Sequence, residues 1–138
     1  MTLKRYKSIF YRWRTLLLLT TFLSACGDIF TSYKKIVENY YLVDGETQNN
    51  FAIAYRTSGD DYIIKIPHQV LEYGFTDSFL VAKIKDYNGL LRYYIINRKR
   101  DFDLAKEDNF RVGPIVEQEY NEKWAKRLDI ALSKVSDQ

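Results

Sequence analysis

Residues 79–97 read FLVAKIKDYNGLLRYYIIN. Two β-rich runs, Phe79 to Tyr87 and Leu90 to Asn97, flank Asn88-Gly89. Asn-Gly between such runs is the strongest short-range hairpin signal, because both residues tolerate the positive φ of a tight reversal. A two-residue turn pairs Tyr87 with Leu90, Ile84 with Tyr93 and Ala82 with Ile95. With Leu80, these residues form the expected core face. The opposite face then carries Lys83, Lys85, Arg92, Tyr94 and Arg98.

Upstream, Phe51 to Thr57 and Tyr62 to Ile66 alternate around Ser58-Gly59-Asp60-Asp61. A two-residue Gly59-Asp60 turn sets Tyr55 opposite Ile64 and Ile53 opposite Ile66, leaving Arg56 and Lys65 on the other side. Tyr40-Tyr41-Leu42-Val43 is a further short strand, closed by Asp44-Gly45. Pro67 bars the middle of a central strand. Val70 to Gly74 suits one helical turn or a bulged strand, and the extended form is favoured. Asp28 to Glu38 reads as a tether or short helix, because Ile29, Tyr33 and Ile36/Val37 fall at helical spacing.

Downstream, Arg98 to Asn109 is charged and reads as an exposed loop. Gly113-Pro114 then introduces a helix expected from Val116 to Leu132. Tyr120, Trp124 and Leu128 recur every four residues. Early glutamates and late Lys123, Lys126 and Arg127 match the helix dipole. The expected fold is α+β: an antiparallel meander of about five strands packed against a C-terminal helix, as one domain over residues 39–138.

If both hairpins share one sheet, Arg56, Lys65, Lys83, Lys85, Arg92 and Arg98 gather around Tyr94. Like charges directly opposite destabilise a sheet. An anionic partner, a lipid phosphate surface or an acidic protein, is a reason to keep them. The alternative is a solvated face whose cations protect an edge.

The 138 residues include one Cys and one His, which excludes an intrachain disulfide and Cys/His metal clusters. Five of the 21 basic residues and none of the 18 acidic ones lie in the first 25 residues. The overall charge of +3 therefore becomes −2 for the remainder. Binding to nucleic acid needs basic charge on the folded part, so that class is not expected.

The basic leader precedes an apolar stretch, residues 15–23, and then small residues, Ser24 and Ala25. That order is a secretory signal peptide, residues 1–25, and the apolar stretch is too short to span a bilayer. Leu23-Ser24-Ala25-Cys26 resembles the bacterial lipobox. The resemblance implies cleavage before Cys26, a diacylglycerol thioether on its sulfur and acylation, for example by palmitate, of the new amino terminus. Two or three chains hold a protein stably at a membrane. Gly27, rather than Asp, follows the Cys, which for a source with two membranes favours the outer membrane, facing the periplasm. Residues 26–38 would be the lipidated tether.

Cys26-Gly27-Asp28, Tyr40-Tyr41-Leu42, Ile66 to Gly74 (Ile-Pro-x-x-Val-x-x-Tyr-Gly), Tyr93 to Ile96 and Gly113-Pro114 are spread over nearly the whole chain. In this pattern the chain resembles a family of small bacterial lipoproteins defined by a domain of unknown function. Those proteins often carry Thr, a helix N-cap, where this chain has Val116, so a looser helix start is expected. The resemblance implies no activity and no functional residue.

His68 lacks a neighbouring acid motif. Asp101, Asp103, Glu107 and Asp108 are interleaved with cations and lack the glycine of a calcium loop. No serine sits in a nucleophile elbow, and no glycine-rich phosphate loop occurs. No cofactor, metal or catalytic set is expected. The reading is a non-enzymatic binding or scaffolding lipoprotein of the cell envelope. The alternatives are an immunity protein blocking a toxin or hydrolase at the envelope, and an envelope hydrolase using scattered carboxylates.

Overall fold

The computed structural model describes residues 32–44, 50–67 and 69–137. These residues are mostly β. Strands β1 (Ser32–Val37), β2 (Tyr40–Asp44), β3 (Phe51–Arg56) and β4 (Tyr62–Ile66) form one antiparallel sheet in chain order. Strands β5 (Gln69–Phe75), β6 (Phe79–Lys85), β7 (Leu91–Asn97), β8 (Arg111–Val116) and β9 (Ser133–Lys134) form a second, ordered β8-β7-β6-β5-β9. A short helix, α1 (Glu107–Phe110), leads into β8. After β8 comes a helical segment made of α2 (Glu117–Tyr120), a π turn (Asn121–Ala125) and α3 (Lys126–Leu128).

In place of the expected five-strand meander there are two antiparallel sheets, of four and five described strands. Ser32–Val37 is a strand rather than a tether or short helix. Hydrogen bonding to β2 along the ladder outweighs the helical spacing of its few apolar residues. Val70 to Gly74 is extended, with a bulge between Val70 and Glu72. Arg111–Val116, read as the approach to a helix, is an edge strand; Pro114 is tolerated there because an edge residue need not donate to the ladder. The helical segment begins at Glu117 and ends at Leu128, shorter than the expected Val116–Leu132.

The hairpin registers differ from expectation by one residue. Asp86 N bonds Leu90 O, and Gly89 N bonds Asp86 O, both at 2.9 Å. The loop is therefore Tyr87-Asn88-Gly89, with Gly89 left-handed at φ +78°, which is the three-residue hairpin ending in a glycine bulge. Asp86 Oδ1 accepts from Asn88 N and Leu90 N, each at 2.9 Å, and holds that loop. Ala82 consequently faces Tyr94, Val81 faces Ile95 and Leu80 faces Ile96. The β3–β4 loop repeats the geometry with Asp60 at φ 67°. There a bulge at Lys65 resets the register, and Ile53 meets Ile66 as expected.

A one-residue shift exchanges the two faces of a strand. Leu80, Ala82, Ile84, Tyr94 and Ile96 now point toward the first sheet and share a core with Tyr40, Leu42, Ile53 and Ile66. The other face of the second sheet presents Val81, Tyr93 and Ile95 to Tyr120 and Leu128 of the helical segment. The helix therefore docks on Tyr93 and Ile95 as expected, but with Val81 in place of Leu80, Ala82 and Ile84. Tyr93 to Ile96 are all buried because both faces are covered.

Candidate functional site

The six cations do not gather on one face. Arg56 sits on the first sheet and pairs with Asp60 at 2.9 Å. Lys83 and Lys85 lie on the helix-covered side of β6, and Lys83 Nζ reaches Glu117 at 3.4 Å. Arg92 lies on the opposite side, where its Nε meets Asp86 Oδ2 at 3.3 Å. Tyr94 is buried between the sheets. Arg98 is buried too, pairing with Glu38 at 2.9 Å and donating to the Thr76 carbonyl. It ties the end of β7 to the β1–β2 turn. The expected anionic-partner face is corrected: the three-residue loop turns Arg92 and Arg98 inward and leaves Lys83 and Lys85 outside. Cys26, the leader and His68 lie outside the described residues.

Lys65 is 4% exposed. Its Nζ lies 2.6 Å from Asp101 Oδ1, while Tyr40 OH donates to Asp101 Oδ2, also at 2.6 Å. The ammonium sits over the rings of Phe110 at 4.4 Å and Tyr55 at 5.1 Å. Burial, and then the Asp101 hydrogen bond, push the Tyr40 hydroxyl far above the usual tyrosine range. Asp101, read as part of an exposed acidic loop, is in fact buried as the counter-ion of Lys65. These contacts lie within the fold, and the triad joins the 98–110 segment to the first sheet. Among the described residues, no cluster of three or more His, Cys, Asp or Glu can hold a metal ion.

The open chemistry lies on the outer side of the second sheet. There a cleft of about 290 Å³ is bounded by Phe79, Ile95 and Asn97 from β6 and β7. Trp124 and Arg127 close one side, and Asp108 to Val112 the other; Arg100 comes from the turn after β7. Two of the lining residues, Ile95 and Phe110, are almost wholly buried, at 2% and 3% exposure.

The helix wall is set by packing and charge. Tyr120 stacks on Tyr93 with ring centroids 4.1 Å apart and planes within 4°. Tyr93 OH donates to Glu117 Oε1 at 3.0 Å, beside Lys83. The Tyr93 hydrogen bond, followed by that of Lys83, holds the Glu117 carboxyl below its usual range. Burial, followed by the Glu117 contact, raises the Tyr93 hydroxyl. A π turn takes about one residue more per turn than an α-helix. Located at Asn121–Ala125, it keeps Tyr120 and Leu128 on the sheet and leaves half-buried Trp124 lining the cleft. Arg127 lies over the Trp124 ring at 5.5 Å.

Sequence reading singled out none of these lining residues as a site. They come from five separate stretches with no motif in common. The one legible signal was Arg127 one helical turn beyond Trp124.

Compared with protein-family models, curated proteins and solved structures, the chain matches none.

Proposed function

We propose that this chain is a lipid-anchored protein of the bacterial cell envelope, and that its folded part is a binding module rather than an enzyme. The leader and the Leu23 to Cys26 lipobox support the anchor, with acylation on Cys26 and no second membrane-attachment signal required. Gly27 after the Cys supports the outer membrane, facing the periplasm, in a source with two membranes.

The observation that carries the binding reading is the cleft beside Trp124. It sets the apolar side chains of Phe79, Ile95 and Trp124 beside charged and polar ones, Arg100 and Arg127 among them, and such convergent groups can orient a small ligand. Neither Arg100 nor Arg127 forms an ion pair with the described residues.

Two measurements test the reading. Cys26→Ser should remain a full-length precursor and lose detergent partitioning; a mature-sized, membrane-bound product from that variant refutes the anchor. A melting-temperature screen of the full chain should find small molecules that stabilise it, since a ligand of the native state raises stability by mass action. Val112→Trp, which fills the cleft, should abolish the shift. If every stabilising compound acts equally on Val112→Trp, the cleft is not the binding site.

A further inference from the structure

Arg100 and Arg127 are two guanidinium groups beside one cleft, in a sequence whose formal charge beyond the first 25 residues is −2. Guanidinium forks recognise carboxylate and phosphate by paired hydrogen bonds, and an aromatic face below a guanidinium fixes its plane. Trp124 supplies such a face for Arg127. The third arginine of the lining, Arg111, is already engaged. It pairs with Glu107 and donates to the Lys65 carbonyl at 2.6 Å.

The apolar part of the lining comes from Phe79, Ile95, Phe110, Val112 and Trp124, three of which are aromatic. The volume of about 290 Å³ is at the small end for ligand sites. Asp108 stands among the lining groups and would repel a ligand of high negative charge while accepting a hydrogen bond from an N–H or O–H. The combination excludes a polyanion and favours a compact molecule with one anionic end.

Resting on the binding-module reading, we propose that this cleft takes a small ligand in which one oxyanion, a carboxylate or a phosphate, is attached to a planar apolar group. Arg100 and Arg127 hold the oxyanion, and the planar group lies against Trp124 and Phe79.

The test uses the full chain in detergent carrying Trp13→Phe, so that Trp124 is the sole tryptophan. Phenyl phosphate, benzoate, inorganic phosphate and benzyl alcohol are titrated by Trp124 fluorescence and by calorimetry. At least one of the two aromatic anions should bind saturably, and the tighter of them identifies the oxyanion. Inorganic phosphate and benzyl alcohol should each bind at least about tenfold more weakly, since each lacks half of the recognition. A hydrogen bond to a charged group accounts for about tenfold or more in affinity, so Arg100→Gln and Arg127→Gln should each weaken binding by that factor. Arg127→Lys should fall between them and the parent, because it keeps the charge and loses the fork. Circular dichroism of each variant separates loss of binding from loss of fold.

The proposal is overturned if neither aromatic anion binds, if inorganic phosphate binds as tightly as phenyl phosphate, or if the folded double variant Arg100→Gln/Arg127→Gln binds undiminished. If the aromatic anions fail while cleft-dependent ligands emerge from the melting screen, the ligand class falls and the binding module stands. Failure of both removes both.

Discussion

Asp101→Asn should be among the most damaging single substitutions in the domain. The carboxylate is buried between Lys65 Nζ and Tyr40 OH, each 2.6 Å away. Asparagine preserves size and an acceptor for Tyr40 but turns an amide toward the ammonium. Breaking a buried pair by removing one partner typically costs about 3–5 kcal/mol, because the remaining charge is left without water or counter-ion. Here the ammonium keeps a long contact to Phe102 O, 3.5 Å, and the rings of Phe110 and Tyr55. Cation–π contacts contribute about 0.5–2 kcal/mol each, which brings the expected loss to the low end, about 3 kcal/mol. A domain has about 5–15 kcal/mol in all. With a urea slope of about 1–3 kcal/mol per molar, the unfolding midpoint should fall by about 1–3 M. Adding Lys65→Met removes the stranded charge, and the double variant should recover most of the loss. Urea denaturation followed by circular dichroism measures both. A loss under about 1 kcal/mol in Asp101→Asn, or a double variant no more stable than the single one, would refute the buried-pair account.

Three further outcomes are expected from the same assay. A Cβ on Gly74 would collide with the Ala131 carbonyl and approach Ile130 Cγ2 at 2.7 Å, so Gly74→Ala should cost at least about 1–3 kcal/mol; a neutral result would show that the 130–132 segment is free to move away. Tyr120→Ala should cost about 3–5 kcal/mol, as for a buried aromatic, and half-buried Trp124→Ala clearly less; the reverse order would mean that the helix is held by Trp124. Stability should decline at both ends of the pH scale. The carboxyls of Asp86, Asp103 and Glu117 sit below their ordinary values when folded, so their contribution is full above about pH 4 and is lost as pH falls through the folded values. The hydroxyls of Tyr40, Tyr93, Tyr94 and Tyr120 sit above theirs, so that stability is lost as pH rises past about 10. Glu117→Gln should flatten the acid limb, and an unchanged limb would place the lowered carboxyl elsewhere.

Both central hairpins were legible from Asn88-Gly89 and Ser58 to Asp61, whereas their registers were not. Asp86 and Thr57 precede three-residue loops, in which Gly89 and Asp60 take the left-handed position, where a two-residue reading asks it of Asn88 with Gly89 and of Gly59. That single residue decides which side chains meet, so the cationic face inferred from a shorter loop dissolved with it. The unbroken apolar run Tyr93 to Ile96 held a warning, because a strand with one wet face would alternate. Lys65 misled in a different way: a lysine between isoleucines reads as solvent-facing, and only the bulge beside it and a distant Asp101 make an interior position tolerable. The helical segment was readable from Tyr120, Trp124 and Leu128, but a π turn has no sequence signature of its own. The cleft depends on how the 98–112 segment crosses the sheet, which is a tertiary outcome.

The pairing of β5 has a kinetic consequence. Each of the other ladders joins strands adjacent in sequence or separated by a single short helix, and such contacts form quickly. Tyr73 and Glu72, by contrast, find Ser133 and Lys134 only after the whole of β6 to α3 has been made. Until then β5 presents an open edge, the kind that recruits strands from other molecules. During synthesis at about 5–20 residues per second, that exposure lasts for several seconds. The window for misassembly at this edge is therefore set by how late residues 133–134 emerge.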